Sequence, residues 1–396
     1  MRQIKKQLAA TLLCSTFALA AHAESINFDG ARNDNLLSKI TGCSLNSDIA
    51  TPTTYTCNES NPPSTLQDDV YIAPDVTVIM GTELIPKILK AASAILGVDA
   101  ILKGNLDSNS TVVLGAGAEV IGGDGILVNA RDSNHTHNFM TGSDGTVAYS
   151  IHALSTVALG DGAYVDGNVY AQTTIALGAN AHVEGNVRAT TTIAVGAKGK
   201  VTGNVNAGTT FALGANGTVV GDVEAGTTVA LGASSHVDAP VGATNGGNVK
   251  AGTTVALGAD SYVEGNVMSD TSTVTLGVKA HVKGNTQALQ AAVTLGTGAY
   301  TCKYIKAVTA TLGADSFVNG NLDATTMTVA AGAFVTGRMG GTTYTLGAGA
   351  CYGDIGNGTI TRGAGAGKCG TVETTNTYDP NIDMTISTSA IYNCSL

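Results

Sequence analysis

Along the middle of the chain the apolar residues come in pairs whose members lie two positions apart: Val157/Leu159, Ala163/Val165, Val169/Ala171. That spacing puts both members on one side of an extended strand. The pairs begin six residues apart, and the set then repeats as Ile175/Leu177, Ala181/Val183, Val187/Ala189. Three short strands, each with one inward pair, make one triangular coil. No helical period survives in this region.

The repeat is 18 residues long. Gly160, Gly178, Gly196, Gly214 and Gly232 mark it, and Gly97 and Gly115 keep the same spacing upstream. After a longer step come Gly258, Gly277, Gly296, Gly313 and Gly347, with a weaker copy around Gly332. Glycine and asparagine at the corners, such as Gly160, Gly167 and Asn168, suit sharp bends and positive φ. A single coil cannot bury its own apolar pairs, whereas stacking on the next coil closes a continuous core. The expected fold class is therefore all-β: a parallel three-sided β-helix (solenoid) of 18-residue coils with capped ends.

Departures from the repeat set the expected boundaries. Residues 94–347 read as solenoid, with an extra coil or protruding loop inserted at about 122–152 and a smaller bulge at 238–247. Residues 24–93 read as an N-terminal cap. Within it, "LIPKILKAASAIL" carries Ile85, Ile88, Leu89, Ala92 and Ile95, a helical stripe that predicts a short helix over the first coil. Pro86 stands near its start, where proline is tolerated, and such a helix would hide an open sheet edge. Residues 348–396 read as a cysteine-containing C-terminal cap.

The first 23 residues read as a signal peptide: basic "MRQIKK", apolar "LAATLLCSTFALA", then Ala21-His22-Ala23 as the cleavage site. No later stretch is long enough to span a membrane. The expected location is secreted or cell surface, with the periplasm as an option. Export bears on the cysteines. Cys14 leaves with the leader, and Cys43, Cys57, Cys302, Cys351, Cys369 and Cys394 remain as disulfide candidates. Cys43 and Cys57 are partners by proximity; the pairing of the last four stays open.

Composition narrows the function classes. The net charge is −10, and it becomes more negative when the leader's Arg2, Lys5 and Lys6 are removed. An acidic chain with scattered Lys and Arg does not make a nucleic-acid surface. Strictly spaced valine and leucine exclude disorder.

The residues between the inward pairs face solvent and form three unlike faces. One carries Thr156, Thr174, Thr192, Thr210, Thr228, Thr254, Thr273, Thr309, Thr326 and Thr343 in one file, interrupted only by Ala292. Beside it runs Ala158, Ala176, Ala194, Ala212, Ala230 and Ala256, then Thr275, Thr294, Thr311, Thr328 and Thr345. Neither file holds a charge. The second face carries Tyr164, His182, Lys200, His236, Tyr262 and His281 beside Asp166, Glu184, Asp238 and Glu264; the third carries Asn168, Asn186, Asn204, Asn248, Asn266, Asn285 and Asn321. Threonine fits a pleated surface by propensity alone, but propensity does not exclude charge from one face only. A grid of methyls and hydroxyls, about 4.8 Å apart along the stack and about 7 Å across a T-x-T strand, can match another periodic surface.

Two sets of residues raise the question of chemistry. Asp166 and Glu184 hold equivalent places on successive coils, a carboxylate pair near the separation of a retaining glycosidase; like charges on a solvated face are the commoner case. His135 and His137 place two imidazoles on one side of an extended segment, with His152 as a third candidate; a metal site needs three or four ligands, and polar histidines in a loop are the commoner case. No catalytic, cofactor or metal site is expected.

"STVTLGVKAHVKGNTQALQAAVTLGTGA", Ser272 to Ala299, resembles the C-terminal part of bacterial ice-binding-like adhesin proteins. The resemblance implies an exported β-solenoid whose flat face binds ice. "VEGNVRA" and "VTGNVNA", Val183–Ala189 and Val201–Ala207, resemble bactofilins, which implies a polymer-forming, right-handed β-helix stacked end to end. The leading expectation is a non-enzymatic, exported solenoid whose Thr/Ala face binds a repetitive surface, ice above all. The alternative is a self-assembling structural or matrix protein, and a polysaccharide-active enzyme stands third. Expected partners are ice or another periodic surface and further copies of the chain, with no nucleic acid and no membrane span.

Overall fold

The computed structural model describes residues 25–28, 43–45, 54–57, 68–82, 85–86, 88–122, 126–129, 146–243 and 245–369. The expected signal peptide, His135, His137 and Cys394 lie outside these. The chain divides into two compact units, Met1–Gly203 and Asn204–Leu396. Each is a parallel β-solenoid with about 18 residues per coil, and no helix occurs among the described residues.

In the first unit, face 1 stacks Ser25–Phe28, Asp69–Ile72, Ser93–Leu96, Val112–Leu114, Thr156–Leu159, Thr174–Leu177 and Thr192–Val195, each parallel to the next. Face 2 runs from Thr54–Cys57 through Thr77–Thr82 and Tyr164–Asp166 to Lys200–Val201. Face 3 runs from Ile88–Ala91 to Val187–Ala189. The second unit repeats the plan. Its face 1 begins at Thr210–Leu213 and ends at Thr359–Arg362.

Registers are unshifted within most coils, so like residues stack on like. Val157, Ile175 and Ile193 form one fully buried column. Leu177, Val183, Leu213 and Leu231 are all buried, as the paired spacing requires. Burying a valine or leucine side chain contributes about 1.5–3 kcal/mol, so every coil adds several such terms and its neighbours supply the cover.

The glycine of the repeated phrase has a different cause from the one expected. A Cβ on Gly178 would lie 2.6 Å from the carbonyl carbon of Gly160. One on Gly160 would lie 2.6 Å from that of Gly115. Close approach of stacked backbones, not a positive φ, demands glycine there. The positive φ falls two residues later, at Gly162 (68°), Asn180 (56°) and Lys198 (58°). Near Gly332 the stacked place is taken by Ala330, and Gly332 holds the positive φ of 66°.

The helix expected in "LIPKILKAASAIL" is replaced by strands Ile88–Ala91 and Ser93–Leu96. The inward residues are Leu89/Ala91 and Ala94/Leu96, the same two-apart pairs as elsewhere. Stacking on Leu106/Ser108 and Val112/Leu114 outweighs the helical stripe, and it leaves Ile95 outward and 38% exposed. Coils therefore begin before residue 94 and continue past 347, to Gly367–Lys368.

The insertion at 122–152 is not an extra coil. Ile126–Asn129 and Thr146–Tyr149 pair antiparallel with each other, while the flanking coils pair directly, Leu106 with Ile151 and Val120 with Val165. The bulge at 238–247 is anchored by the Ala239 amide, which donates to Glu264 Oε2 at 2.9 Å.

Both units carry a device at a terminal coil. In the first, Cys43–Leu45 pairs antiparallel with Thr54–Cys57, and a disulfide joins Cys43 to Cys57. In the second, Arg362 takes the inward register place that Leu346 holds one coil earlier. Its Nη2 donates to the Tyr352 hydroxyl at 2.8 Å. A disulfide also ties Cys351 to Cys369, and Cys302 is disulfide-bonded as well.

Candidate functional site

Face 1 is built by the alternation within each Thr-x-Ala-Leu or Thr-x-Thr-Leu strand. In the first unit Thr156, Thr174 and Thr192 are in register, as are Ala158, Ala176 and Ala194. All six point outward and are half-buried. In the second unit Thr210, Thr228 and Thr254 stack beside Ala212, Ala230 and Ala256. The second file then becomes Thr275, Thr294, Thr311, Thr328 and Thr345. Thr273 lies beside this run, and Ala292, Thr309, Thr326 and Thr343 continue the first file.

Exposure varies along these coils. Thr294, Thr309 and Thr311 are half-buried, whereas Thr275, Thr326, Thr328, Thr343 and Thr345 are exposed. The structure extends the two files to Thr359 and Thr361, which the phrase spacing missed because Arg362 replaces the leucine that marks the motif. Upstream in the first unit the second file is Tyr71, Ile95 and Val113, larger apolar groups in place of alanine, and the first file is Asp69 and Ser93, which are hydrogen-bonded to each other.

A second set of threonines, one residue earlier, was not singled out in the sequence. Thr173 Oγ1 donates to the Ser155 carbonyl at 2.9 Å. Thr227 and Thr253 do the same to Thr209 and Thr227, at 2.7 and 2.8 Å. These corner hydroxyls bind the coil below, so they are spent on the stack. The outward threonines of the two files keep their methyls on the face, while the Thr156 and Thr174 hydroxyls also reach the corner hydroxyls of Thr173 and Thr191, at 3.4 and 3.5 Å.

Face 2 is charged and aromatic. Asp166 and Glu184 are register neighbours, as the sequence implied. Glu184, however, accepts a hydrogen bond from Tyr164 and lies 4.0 Å from His182 Nε2. Burial, then that bond to Glu184, pushes the Tyr164 hydroxyl up to about 12. Burial and the Lys200 charge hold His182 below the usual histidine range, against Glu184. In the second unit Glu264 is held below the usual carboxylate range by the Ala239 amide and by Lys283, 3.2 Å away.

His152 bonds Asp107 at 2.8 Å and stacks on Tyr170. No group of three metal-ligating side chains occurs among the described residues. Face 3 carries the asparagine ladder. Asn266 donates its amide and Nδ2 to Asn248 Oδ1 at 2.9 and 3.0 Å, and Asn285 does the same to Asn266. The series stops where Tyr304 takes the next place, which leaves Asn285 Oδ1 buried without a partner.

From Thr156 onward the two outward files of face 1 thus combine regular spacing with the absence of charged side chains, while the neighbouring faces are crowded with paired polar groups. A sequence model of the family described as "Bactofilin: Polymer-forming cytoskeletal" matches residues 159–254, about a quarter of the chain. No curated protein matches the chain, and no solved structure does.

Proposed function

We propose that this chain is a self-assembling structural protein whose copies pack through the Thr/Ala face. The observation that carries the reading is the match of a polymer-forming family to residues 159–254, whose outward files on face 1 are threonine and alanine. Flat, uncharged, regularly spaced sheet surfaces pack against one another with little desolvation of polar groups.

The device at a terminal coil of each unit argues for side-by-side over end-to-end contact between copies. An antiparallel strand stapled by a disulfide and an inward-placed arginine are both means of stopping strand addition at a sheet edge. The end-to-end stacking implied by the bactofilin resemblance therefore gives way to lateral association. The disulfides Cys43–Cys57 and Cys351–Cys369 support assembly in an oxidising compartment, outside the cytoplasm. Electron microscopy of the pure, oxidised protein tests the reading: ordered polymers or sheets are expected, and a field of single particles at high concentration contradicts it.

A second reading, ice binding, rests on the T-x-T coils of the second unit, where Thr326/Thr328 and Thr343/Thr345 are exposed in register. Their spacing of about 4.8 by 7 Å is a grid that can order water. Growing ice crystals left unshaped by concentrated protein would remove this reading and leave self-assembly untouched.

A further inference from the structure

In the second unit face 1 changes at its edges. In the coils up to Thr254–Leu257 the chain turns from face 3 into face 1 at a corner, where Thr227 and Thr253 bond the coil below. From residue 286 on, strands Thr286–Leu295, Ile305–Leu312 and Leu322–Val329 run through that corner without a break. The outward place there passes to Leu289 and then to Val308, 47% and 43% exposed, which follow the register pair Ala288 and Ala307. On the opposite edge, at the turn after Leu276, Val278 is 49% exposed. Aliphatic side chains thus border, on both edges, the stretch of face 1 that carries Thr275, Thr294 and Thr311.

We propose that a second copy of the chain covers these edges, and that Leu289, Val308 and Val278 are the apolar anchors of the contact between copies. Such anchoring rests on self-assembly through face 1 and fixes where the contact is held. Size argues for anchors of this kind. The face 1 strands of the second unit succeed one another from Thr210–Leu213 to Thr359–Arg362. At strand spacings they make a strip about 40 Å long and about 13 Å wide, about 520 Å², which falls short of the about 800 Å² per partner of a stable interface. The aliphatic edges widen the strip and add apolar area, whose removal from water drives association.

Charge favours a second copy as the occupant. Residues 284–302 and 307–314 hold no Asp, Glu, Lys or Arg, so like can meet like there without burying an unpaired charge. The cations around them are offset by carboxylates. Lys283 lies 3.2 Å from Glu264, Lys306 is a register neighbour of Asp323, and Lys279 shares one file of positive-φ corners with Asp260 and Asp315. Exposed Lys303 sits at the far corner, between faces 2 and 3. An anionic lipid surface gains little from a rim of both signs, whereas two copies of one chain can pair those signs with each other.

Sedimentation velocity over a concentration series, with intact, oxidised protein in lipid-free buffer, tests the anchors. Leu289→Asp/Val308→Asp should melt as wild type does, because both side chains are exposed. It should need at least about tenfold more protein to assemble. Leu289→Thr/Val308→Thr, which sets at the edge the residue type that Thr325 supplies one coil on, should shift assembly the same way by less. Val241→Asp, on the bulge between faces 2 and 3 and fully exposed, should assemble as wild type. Edge variants that assemble at wild-type concentrations, while Thr328→Tyr does not, overturn the anchors and leave self-assembly through face 1 standing. An equal shift in Val241→Asp overturns the anchors too. Wild type that stays monomeric overturns both. Assembly unchanged in the edge variants, with loss of flotation on phosphatidylglycerol vesicles, gives the edge to a membrane and overturns the anchors.

Discussion

Oδ1 of Asn168 accepts two hydrogen bonds from Asn186 one coil above it, from the main-chain amide at 2.7 Å and from Nδ2 at 3.0 Å. The contact explains why a corner residue that needs no positive φ recurs as asparagine: one acceptor satisfies a backbone donor of the next coil. Aspartate can do the same, and Asp222 Oδ1 accepts from the Asn248 amide and Nδ2 at 2.8 and 2.9 Å. Asn168→Ala should therefore cost about 1–3 kcal/mol, the penalty of an orphaned, part-buried donor. Asn168→Asp should come close to wild type. Denaturant unfolding of the two variants checks this, and equal losses in both would show that the acceptor is not what matters.

Leu213 lies inside the second unit, between Leu231 above and the inward residues around it, and is 3% exposed. Leu213→Ala should cost about 2–5 kcal/mol through lost transfer energy and a residual cavity. A variant with wild-type thermal stability would show that the stacked core does not carry the fold at this coil.

Burial, reinforced by the charge of Lys283, pushes the His281 imidazole down to about 4. Tyr262, Tyr300 and Cys302 surround it. The folded value lies below the unfolded value of about 6.5. Above pH 6.5 neither state carries the proton, and the contribution of His281 is intact. As the pH falls from about 6.5 toward 4, the unfolded chain takes up a proton that the folded chain refuses, and stability is lost. His281→Gln should lose less stability than wild type over that window. Parallel melting curves for the two proteins from pH 7 to 4 would contradict the assignment.

Much of this was legible in the sequence, because stacked coils put a two-residue period inside an 18-residue one. The inward pairs, the three faces, the Asp166/Glu184 register and the Cys43–Cys57 bond all follow from spacing. Spacing failed where local pattern and tertiary stacking disagree. Ile85, Ile88, Leu89, Ala92 and Ile95 fit a helix as well as a strand, and only the coils beside them decide for Leu89/Ala91 and Ala94/Leu96. The role of Gly178 was also hidden, since a backbone contact at 2.6 Å leaves no trace in composition beyond the glycine itself. On face 1 the sequence showed which side chains point outward, but not that Thr173 and Thr227 spend their hydroxyls on the stack.

Gly178→Ala should therefore disturb the stack despite the small size of the change. Its Cβ would meet backbone atoms of Gly160 and Asp161 at 2.6–2.8 Å, none of them part of a flexible side chain. A loss of about 1–3 kcal/mol is expected, as for other overpacked sites. Unaltered melting would mean that the coils can part locally without cost.

The central claim is that copies associate through face 1. Thr328 points outward in the exposed T-x-T coils, whereas Lys200 points outward on face 2 of the other unit. Sedimentation velocity of wild type, Thr328→Tyr and Lys200→Tyr at matched concentrations tests the claim most directly. Wild type and Lys200→Tyr should sediment as large assemblies and Thr328→Tyr as a folded monomer, because one bulky ring holds two flat faces apart. Thr328→Tyr assembling as wild type does would contradict the claim.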